Sequence, residues 1–356
     1  MCATRRSASR FQPILPVSVF TAMVFLAITG CGTNVSNNPA GNGSGSSVSS
    51  NTASAGTVSS GASLGLQWSP VDQTLRPIVG VPGSSWLGAS VVTAGVYASA
   101  SYSAASGAAL LTDSHGNLSL ILSGSQSPQV LAQGAPANAH IVFSPDGQRA
   151  AVFAPNSGSA MLVTGLPGQP GVSNYTSTSA IAALAISDDG ALLIASPGSA
   201  GVAITEVSST GAQATVATLA GFGGMTFLPG SDDFLLADSV QNTLVRIHNG
   251  TAQTLATHAD GLNQPLAVAT SADGQWAVTA NSADGVLVRV NLSGAAAPAK
   301  ALCACSPSEL TPLAGNADFE LTEPGKSASW MIDAARNTPS VFFIPPTQSS
   351  MTGSSK

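Results

Sequence analysis

Charged residues are scarce in this chain. Asp, Glu, Lys and Arg together make up 8% of its 356 residues, against about 25% in typical soluble proteins. The formal net charge is −6 at pH 7. Nucleic-acid binding needs clusters of basic residues that displace counterions from phosphates, and docking on anionic lipid needs a similar positive patch. The composition therefore argues against both kinds of partner.

Sequence motifs of the common enzyme classes are missing as well. There is no Walker loop and no dinucleotide-binding fingerprint. A Gly-x-Ser-x-Gly pattern occurs only at residues 41–45, in a low-complexity stretch without the strand–turn–helix context of a nucleophile. The histidines are scattered along the chain, and none has a Ser or Cys partner in a motif. They are His115, His140, His248 and His258. We therefore predict no catalytic residue, no metal ligand and no cofactor.

Cysteines are also few, with four in the whole chain. Cys303 and Cys305 form a Cys-Ala-Cys sequence. In an extended strand their side chains would point the same way, with the sulfurs too far apart for a disulfide. A zinc site would need two further Cys or His ligands at motif spacing, which the sequence does not offer. We favour two buried or loop thiols, with a disulfide in a bent segment as the alternative in an oxidising compartment.

The first thirty residues have the order of a secretory signal. A positive region with Arg5, Arg6 and Arg10 precedes an uncharged, mainly apolar stretch over residues 15–28. This stretch is shorter than the roughly 20 apolar residues of a membrane span. Small or β-branched residues then lead directly to Cys31 in the sequence Ile-Thr-Gly-Cys. The N-terminus therefore predicts export.

Ile-Thr-Gly-Cys resembles the lipobox of bacterial lipoproteins. The resemblance implies removal of residues 1–30, a diacylglyceryl thioether on Cys31, and an added N-terminal acyl chain such as palmitate. Gly32 stands where many inner-membrane lipoproteins have Asp, which by the same resemblance implies the outer membrane of a Gram-negative cell. Ordinary cleavage in this region, with Cys31 left as a free thiol, is the alternative. We expect an exported protein that is attached to the cell envelope by its lipid anchor.

A segment made almost entirely of Gly, Ser, Asn, Thr and Ala follows the anchor. Residues 34–63 contain no charged and no aromatic residue, so they cannot bury enough apolar surface to offset the entropy of ordering. We predict that residues 31–63 form a flexible leash that spans about 30 Å. Residues 64–346 then form the folded body, and residues 347–356 form a disordered tail.

The folded body contains a repeat of about 42 residues. An apolar strand, a turn rich in Asp and Gly, and a second apolar strand recur, and the turn glycines Gly147, Gly190 and Gly274 keep the repeat spacing. Degenerate copies at residues 102–107 and 312–318 bring the number of copies to six. Asp before Gly is primarily a turn former. We therefore assign a structural role to the turn aspartates Asp146, Asp188, Asp189, Asp232, Asp233, Asp273 and Asp318.

Each repeat predicts four short strands, here called A to D, which is the size of a β-propeller blade. Ser-Pro-Asp-Gly between two apolar strands resembles the NHL, YVTN and WD-repeat-like propellers of bacterial envelopes. We predict an all-β propeller with four-stranded antiparallel blades. Six blades are favoured, with the strand pair at residues 64–68 and 74–78 joining the C-terminal blade. Seven blades are the alternative if residues 84–97 contribute.

In a propeller the B–C and D–A loops lie on one face, here called the loop face, and the A–B and C–D turns lie on the other, the turn face. Polar residues that could contact a ligand on the loop face are Asp238, His258, Asp260, Asn281, Asp284 and Glu323. We predict a non-enzymatic binding scaffold that presents this face to a protein, peptide or glycan. The alternative, implied by the propeller resemblance, is a metal-dependent lactonase-like hydrolase with oxygen ligands at the channel mouth.

Overall fold

A computed structural model describes residues 62–125, 127–136, 138–323, 326 and 329–346. The predicted signal segment, Cys31, nearly all of the predicted leash and the predicted tail lie outside these residues. The described residues form 27 β-strands and one 3₁₀ helix at His258–Asp260. Within this part of the chain, no helix has the length and apolar character needed to cross a bilayer.

The strands form seven antiparallel sheets, six with four strands and one with three. Short runs of Val, Ile, Leu, Ala and Thr between turn residues favour such meanders. The first sheet holds β1 (Ser63–Ser69), β2 (Thr74–Val81) and β3 (Ser84–Leu87). The second holds β4 (Tyr97–Ser103), β5 (Ala108–Asp113), β6 (Asn117–Leu122) and β7 (Gln129–Gln133), and the third holds β8 (His140–Phe143), β9 (Arg149–Phe153), β10 (Ser157–Thr164) and β11 (Gly171–Ile181).

The remaining four sheets follow in chain order. The fourth holds β12 (Ala183–Ile186), β13 (Leu192–Gly198), β14 (Gly201–Val207) and β15 (Gln213–Leu219), and the fifth holds β16 (Phe222–Phe227), β17 (Phe234–Asp238), β18 (Thr243–His248) and β19 (Thr251–Ala256). The sixth holds β20 (Pro265–Thr270), β21 (Trp276–Asn281), β22 (Val286–Asn291) and β23 (Ala299–Leu302), and the seventh holds β24 (Glu309–Pro312), β25 (Asp318–Thr322), β26 (Ser329–Asp333) and β27 (Ser340–Ile344).

The seven sheets are the blades of a closed β-propeller. A separate cluster of buried apolar side chains fills each of the seven interfaces between neighbouring blades. The cluster between the seventh and first blades contains Leu64, Ile78, Met331 and Ile344, none more than 7% exposed. Burial of apolar surface at every interface, including this last one, stabilises the ring.

The prediction of six blades is wrong, and the alternative of seven is confirmed. β1 and β2 do not join the C-terminal blade but pair with β3 in a sheet of their own. This third strand comes from residues 84–97, as the alternative required. Its sequence is Ser-Ser-Trp-Leu, and Trp86 is 47% exposed. Such a short, half-polar strand carries little of the apolar pattern by which the other blades are recognised.

The A–B turns bind one another across blades. Gly147 and Gly190 have φ angles of 70° and 101°, a region that glycine adopts without steric cost. The carboxylate of Asp188 accepts hydrogen bonds from the backbone N–H groups of Asp146 and Gly230, both at 2.8 Å and both 42 residues away. This interval equals the repeat length in the sequence, so Asp188 has the structural role predicted for the turn aspartates.

The first blade begins at a different strand position from the other six blades. Leu64, near the start of β1, accepts a hydrogen bond of 2.6 Å from Ala314, in the A–B turn of the seventh blade. Trp68, near the end of β1, lines one cavity with Glu309, the first residue of the A strand β24. β1 therefore runs from the turn face to the loop face, as B strands do. The first blade has strands in positions B, C and D, and no described residue occupies position A.

Cys303 and Cys305 form a disulfide, with their Cα atoms 5.0 Å apart. The favoured interpretation as two thiols is therefore wrong, and the disulfide alternative is confirmed. β23 ends at Leu302, and the segment that follows it is bent rather than extended. The interpretation as thiols assumed an extended strand, in which the two sulfurs would be too far apart to bond. The chain is not extended at these residues.

Candidate functional site

Asp238, the first of the six residues predicted on the loop face, is hydrogen-bonded to backbone groups of nearby loops. Its carboxylate accepts hydrogen bonds from four backbone N–H groups, those of Ala220 at 2.7 Å, Gly221 at 3.2 Å, and Val240 and Gln241 at 2.9 Å each. The residue is 4% exposed. Asp238 therefore shapes the B–C loop of the fifth blade and ties it to the preceding D–A loop.

His258 and Asp260 belong to the 3₁₀ helix in the D–A loop between the fifth and sixth blades. The carboxylate of Asp260 accepts hydrogen bonds from the backbone N–H of Thr257 at 2.9 Å and from its hydroxyl at 3.0 Å. This pairing is half of a capping box, which stabilises the start of a helix. Nδ1 of His258 lies 2.9 Å from the carbonyl oxygen of Leu262. Both side chains hold the conformation of this loop.

Asn281 and Asp284 are brought together at the B–C loop of the sixth blade. The Asn281 side-chain N–H group donates to the carbonyl oxygen of Gly261 at 2.8 Å and to Asp284 at 3.2 Å. Asp284 also accepts a hydrogen bond of 3.1 Å from the side chain of Asn263. Asn281 is fully buried, whereas Asp284 is exposed. This network joins the B–C loop to the loop that carries His258 and Asp260.

Glu323 organises the loop between β25 and β26 in the seventh blade. Its Oε1 accepts hydrogen bonds from the backbone N–H of Ser306 at 2.7 Å and from Nζ of Lys326 at 2.9 Å. Burial opposes ionisation of this carboxyl, but the hydrogen bonds from Lys326 and Ser306 and the positive charge of Lys326 outweigh it and lower the pKa of Glu323. Glu323 is therefore a paired carboxylate at neutral pH.

The six predicted residues thus form one connected group and two separate ones. Asn281 and Asp284 adjoin the loop of His258 and Asp260, whereas Asp238 and Glu323 each bind groups of other loops. A shared hydrolytic metal site would need several of these oxygen atoms to face one point. Over the described ranges, no three His, Cys, Asp or Glu side chains are placed to hold a metal ion.

A groove of about 490 Å³ opens on the loop face between the fifth and sixth blades. It has an apolar part and a rim of amides and hydroxyls, and none of its described lining residues is charged. The lining residues are Phe222, Ser239, Val240, Asn242, Asn263, Gln264, Pro265, Leu266 and Ser282. Val240 is 65% exposed. An apolar floor with a few directed polar groups is the usual composition of a ligand site.

Hydrogen bonds to Gln264, the residue before β20 of the sixth blade, fix the rim of this groove. The side-chain oxygen of Asn242 accepts a hydrogen bond of 2.5 Å from the backbone N–H of Gln264. The hydroxyl of Ser282 donates to the carbonyl oxygen of Gln264 at 3.0 Å. Asn242 and Gln264 have φ angles of 55° and 51°, a strained region for residues other than glycine. Strain of this kind is often found at binding sites.

The sequence alone does not reveal the groove. It places Asn242, Asn263 and Gln264 in loops of the loop face, where polar side chains are expected, and nothing in their spacing shows that they are neighbours. Phe222 and Leu266 resemble ordinary strand residues, because each begins or follows an apolar run. They meet only because the start of one A strand lies beside the start of the next around the ring. The repeat interval could have suggested this, since residues 222 and 265 are about one repeat apart.

A smaller cavity of about 150 Å³ lies at the centre of the ring between the first, second and seventh blades. Glu320 borders it, is 3% exposed, and accepts a hydrogen bond of 2.9 Å from the hydroxyl of Ser329. Burial raises the pKa of Glu320 to about 8; the hydrogen bond from Ser329 opposes this rise, and the charge of Glu309 adds to it. Glu320 is therefore mainly protonated at pH 7.

Comparisons with known proteins support the fold. No protein family matches the chain, and no curated protein matches its sequence. A functionally unknown protein from Desulfotomaculum acetoxidans is similar with a TM-score of 0.55 and 14% identity, over 80% of this chain and 100% of the other. Virginiamycin B lyase from Staphylococcus aureus gives 0.50 and 15%, over 68% and 82%. Identities this low show a common fold and leave the function of this chain open.

Proposed function

We propose that this chain is an envelope lipoprotein whose propeller binds an uncharged polar partner, a glycan or a peptide segment, in the groove between the fifth and sixth blades. The observation that carries the proposal is the lining of the groove. Amides and hydroxyls of Asn242, Asn263, Gln264 and Ser282 surround the apolar side chains of Phe222 and Leu266. A charged ligand would lose hydration here without gaining a counter-charge, whereas sugar hydroxyls or peptide groups find matching partners.

The position of the groove relative to the start of β1 supports an anchored binding role. Ser63, the first residue of β1, lies at the turn face, because Leu64 is bound to an A–B turn. The groove opens on the loop face. The first strand of the described chain therefore begins on the face opposite the groove. The anchor would hold the propeller to the membrane while the loop face stays open to a partner.

Two exposed valines allow a matched test of the groove. Val240 lines the groove and is 65% exposed, while Val130 on β7 of the second blade is 58% exposed. Val240→Arg should reduce partner recovery from detergent-solubilised envelope at least tenfold, with Val130→Arg unchanged, because surface substitutions alone change stability little. Equal recovery with both variants would place the binding surface elsewhere. Failure to recover any partner, together with turnover of a small substrate, would overturn the binding role.

The anchor is tested separately. Cys31→Ala should release a folded propeller into the soluble envelope fraction, because without the thioether none of the acyl chains is attached, and stable anchoring needs more than one lipid signal. Fractionation of cells expressing each form measures this directly. Continued retention of the Cys31→Ala variant in the membrane would exclude the lipid anchor and leave the groove proposal untouched.

A further inference from the structure

The turn between β18 and β19 in the fifth blade contains an Asn-Gly pair. Asn249 and Gly250 have φ angles of 48° and 72°, and the residues on either side, His248 and Thr251, pair with each other. Positive φ at two central residues is typical of a type I′ hairpin turn, for which Asn-Gly is a preferred sequence. Because glycine has no side chain, the same pair leaves the asparagine amide open to attack by the next backbone nitrogen. The turn role explains the Asn-Gly pair, but it does not require the side chains that surround it.

A series of hydrogen bonds leads from a buried carboxylate to the amide of Asn249. Nδ1 of His248 lies 2.8 Å from both carboxylate oxygens of Asp233, and its Nε2 lies 3.0 Å from Nδ2 of Asn249. A carboxylate only accepts hydrogen bonds, so Nδ1 is the donor, and Nε2 of the neutral ring accepts from the amide. Asp233 is 6% exposed, whereas Asn249 and Gly250 are exposed. A basic ring nitrogen therefore lies beside an amide nitrogen that water can reach.

We propose that Asn249 is a deamidation site and that His248 transfers the proton in its conversion. The backbone nitrogen of Gly250 bonds to Cγ of Asn249, and the bond from Cγ to Nδ2 breaks, which yields a five-membered succinimide ring and ammonia. The proton that Gly250 loses passes through solvent to Nε2 of His248 and from there to the departing nitrogen. Water then opens the ring, at Cγ to give aspartate or at the main-chain carbonyl carbon to give isoaspartate.

Asp233 is a positioning residue in this arrangement, because it contacts His248 and none of the reacting atoms. A carboxylate at Nδ1 fixes the orientation of the imidazole and stabilises the imidazolium that forms when Nε2 takes up a proton. The Asp233 carboxylate also accepts a hydrogen bond of 3.0 Å from Nε of Arg246, which holds it in place. The pair Asp233 and His248 thus sets the direction from which the proton reaches the amide.

The turn has room for the backbone rotation that the attack requires. No atom of the described residues lies within 4 Å of the position that a Cβ atom on Gly250 would take, and the His248 side chain is 59% exposed. Asn242 has a similar φ of 55°, but Thr243 follows it, and its side-chain oxygen binds the backbone of the D–A loop. Asn242 therefore offers an internal control with the same backbone conformation and without the reactive neighbours.

Conversion alters the turn face, which is opposite the groove, so the inference does not depend on the proposed function. Aspartate at position 249 places a carboxylate beside Nε2 of His248, in addition to Asp233 at Nδ1. Isoaspartate lengthens the backbone by a carbon atom, so the pairing of His248 with Thr251 loses its register. Either product makes the turn more acidic.

Incubation of the purified mature protein at neutral pH tests the site. Mass spectrometry of the peptide that contains Asn249 measures the replacement of its amide by a carboxyl group. His248→Gln keeps an acceptor for the amide N–H but cannot carry a proton, so conversion should slow about tenfold. Asn242 should stay unconverted in the same samples. Equal or faster conversion in the His248→Gln variant, no conversion of Asn249 in the natural protein, or equal conversion at Asn242 would each overturn the proposal.

A second pair of measurements separates proton transfer from a change in turn stability. Asp233→Asn should slow conversion in the natural protein and have no further effect in the His248→Gln variant, because Asp233 acts through His248. Slowing by the same factor in both backgrounds would contradict the positioning role. A synthetic peptide of residues 244–255 lacks Asp233 and the folded turn, so His and Gln versions of this peptide should convert at the same rate. A tenfold difference between the two peptides would show that the folded arrangement is not the cause.

Discussion

The side-chain oxygen of Asn242 accepts a hydrogen bond from the backbone N–H of Gln264 at 2.5 Å and so joins the fifth blade to the sixth beside the groove. Both residues have left-handed φ angles, 55° and 51°. Asn tolerates this region better than most residues because its short side chain forms local hydrogen bonds. The rim of the groove is therefore fixed before any partner binds, which lowers the entropy lost on binding.

Asn242→Ala should destabilise the protein by about 1–2 kcal/mol, since it removes the hydrogen bond and leaves a strained backbone without local compensation. Asn242→Gly removes the same bond but relieves the strain, so its loss should be smaller, about 0.5 kcal/mol. Urea unfolding of the two variants separates the contribution of the hydrogen bond from that of the backbone strain. If the Gly variant were the less stable of the two, backbone strain at this position would not contribute to the free energy of unfolding.

Asp238→Ala should cost about 2–4 kcal/mol, because four backbone N–H groups lose their acceptor in a buried loop. Asp284→Ala is the matched control from the next blade. Asp284 is exposed, so its loss should cost less than about 1 kcal/mol. The measurement is the free energy of unfolding in urea. A mild effect of Asp238→Ala on stability with abolished partner binding would instead make Asp238 a ligand contact.

The repeat made most of the fold predictable. Gly147, Gly190 and Gly274 require positive φ at each A–B turn, so these positions stand out in the sequence. The backbone groups that Asp188 binds across blades lie 42 residues before and after it, at the repeat interval. The number of blades was harder to predict from the sequence, because β3 is four residues long and holds two serines. Strand existence is clear from sequence only where apolar alternation is long enough to distinguish a strand from a loop.

The candidate site was less predictable than the fold. A polar loop residue such as Asp238 looks the same in sequence whether it faces solvent or its own backbone. Here it faces the backbone. Phe222 and Leu266 gain their significance from adjacency around the ring, which depends on how consecutive blades are stacked. Loop conformation and blade neighbourhood are properties of tertiary packing, and the local pattern of residues does not encode them.

The contribution of Glu320 to the stability of the protein should fall as the pH rises from about 4.5 to about 8. Its folded-state pKa of about 8 lies above the ordinary 4.5, chiefly because of burial. Between these values the folded protein holds a proton that the unfolded chain has released. The contribution of Glu320 therefore decreases with rising pH, by up to about 1.4 kcal/mol per pH unit, and levels off above pH 8.

Glu320→Gln isolates this effect, since the amide oxygen can still accept the hydrogen bond from Ser329 and carries no charge at any pH. Urea unfolding from pH 5 to pH 9 should show the variant gaining stability relative to the natural protein as the pH rises. Parallel curves would mean that Glu320 ionises at its ordinary pKa in the folded state. Groups with lowered pKa values, such as Glu323, act below this window and are common to both proteins.

Asp188→Ala should be among the most damaging turn substitutions. The carboxylate of Asp188 joins three consecutive blades, because its two oxygens accept from Asp146 of the third blade and Gly230 of the fifth. Its neighbour Asp189 accepts from Ser187 and from the backbone N–H of Ala191, both within its own turn. We expect a loss of about 2–3 kcal/mol for Asp188→Ala and about 1 kcal/mol for Asp189→Ala. Equal losses in urea unfolding would show that contacts between blades add nothing beyond the turn itself.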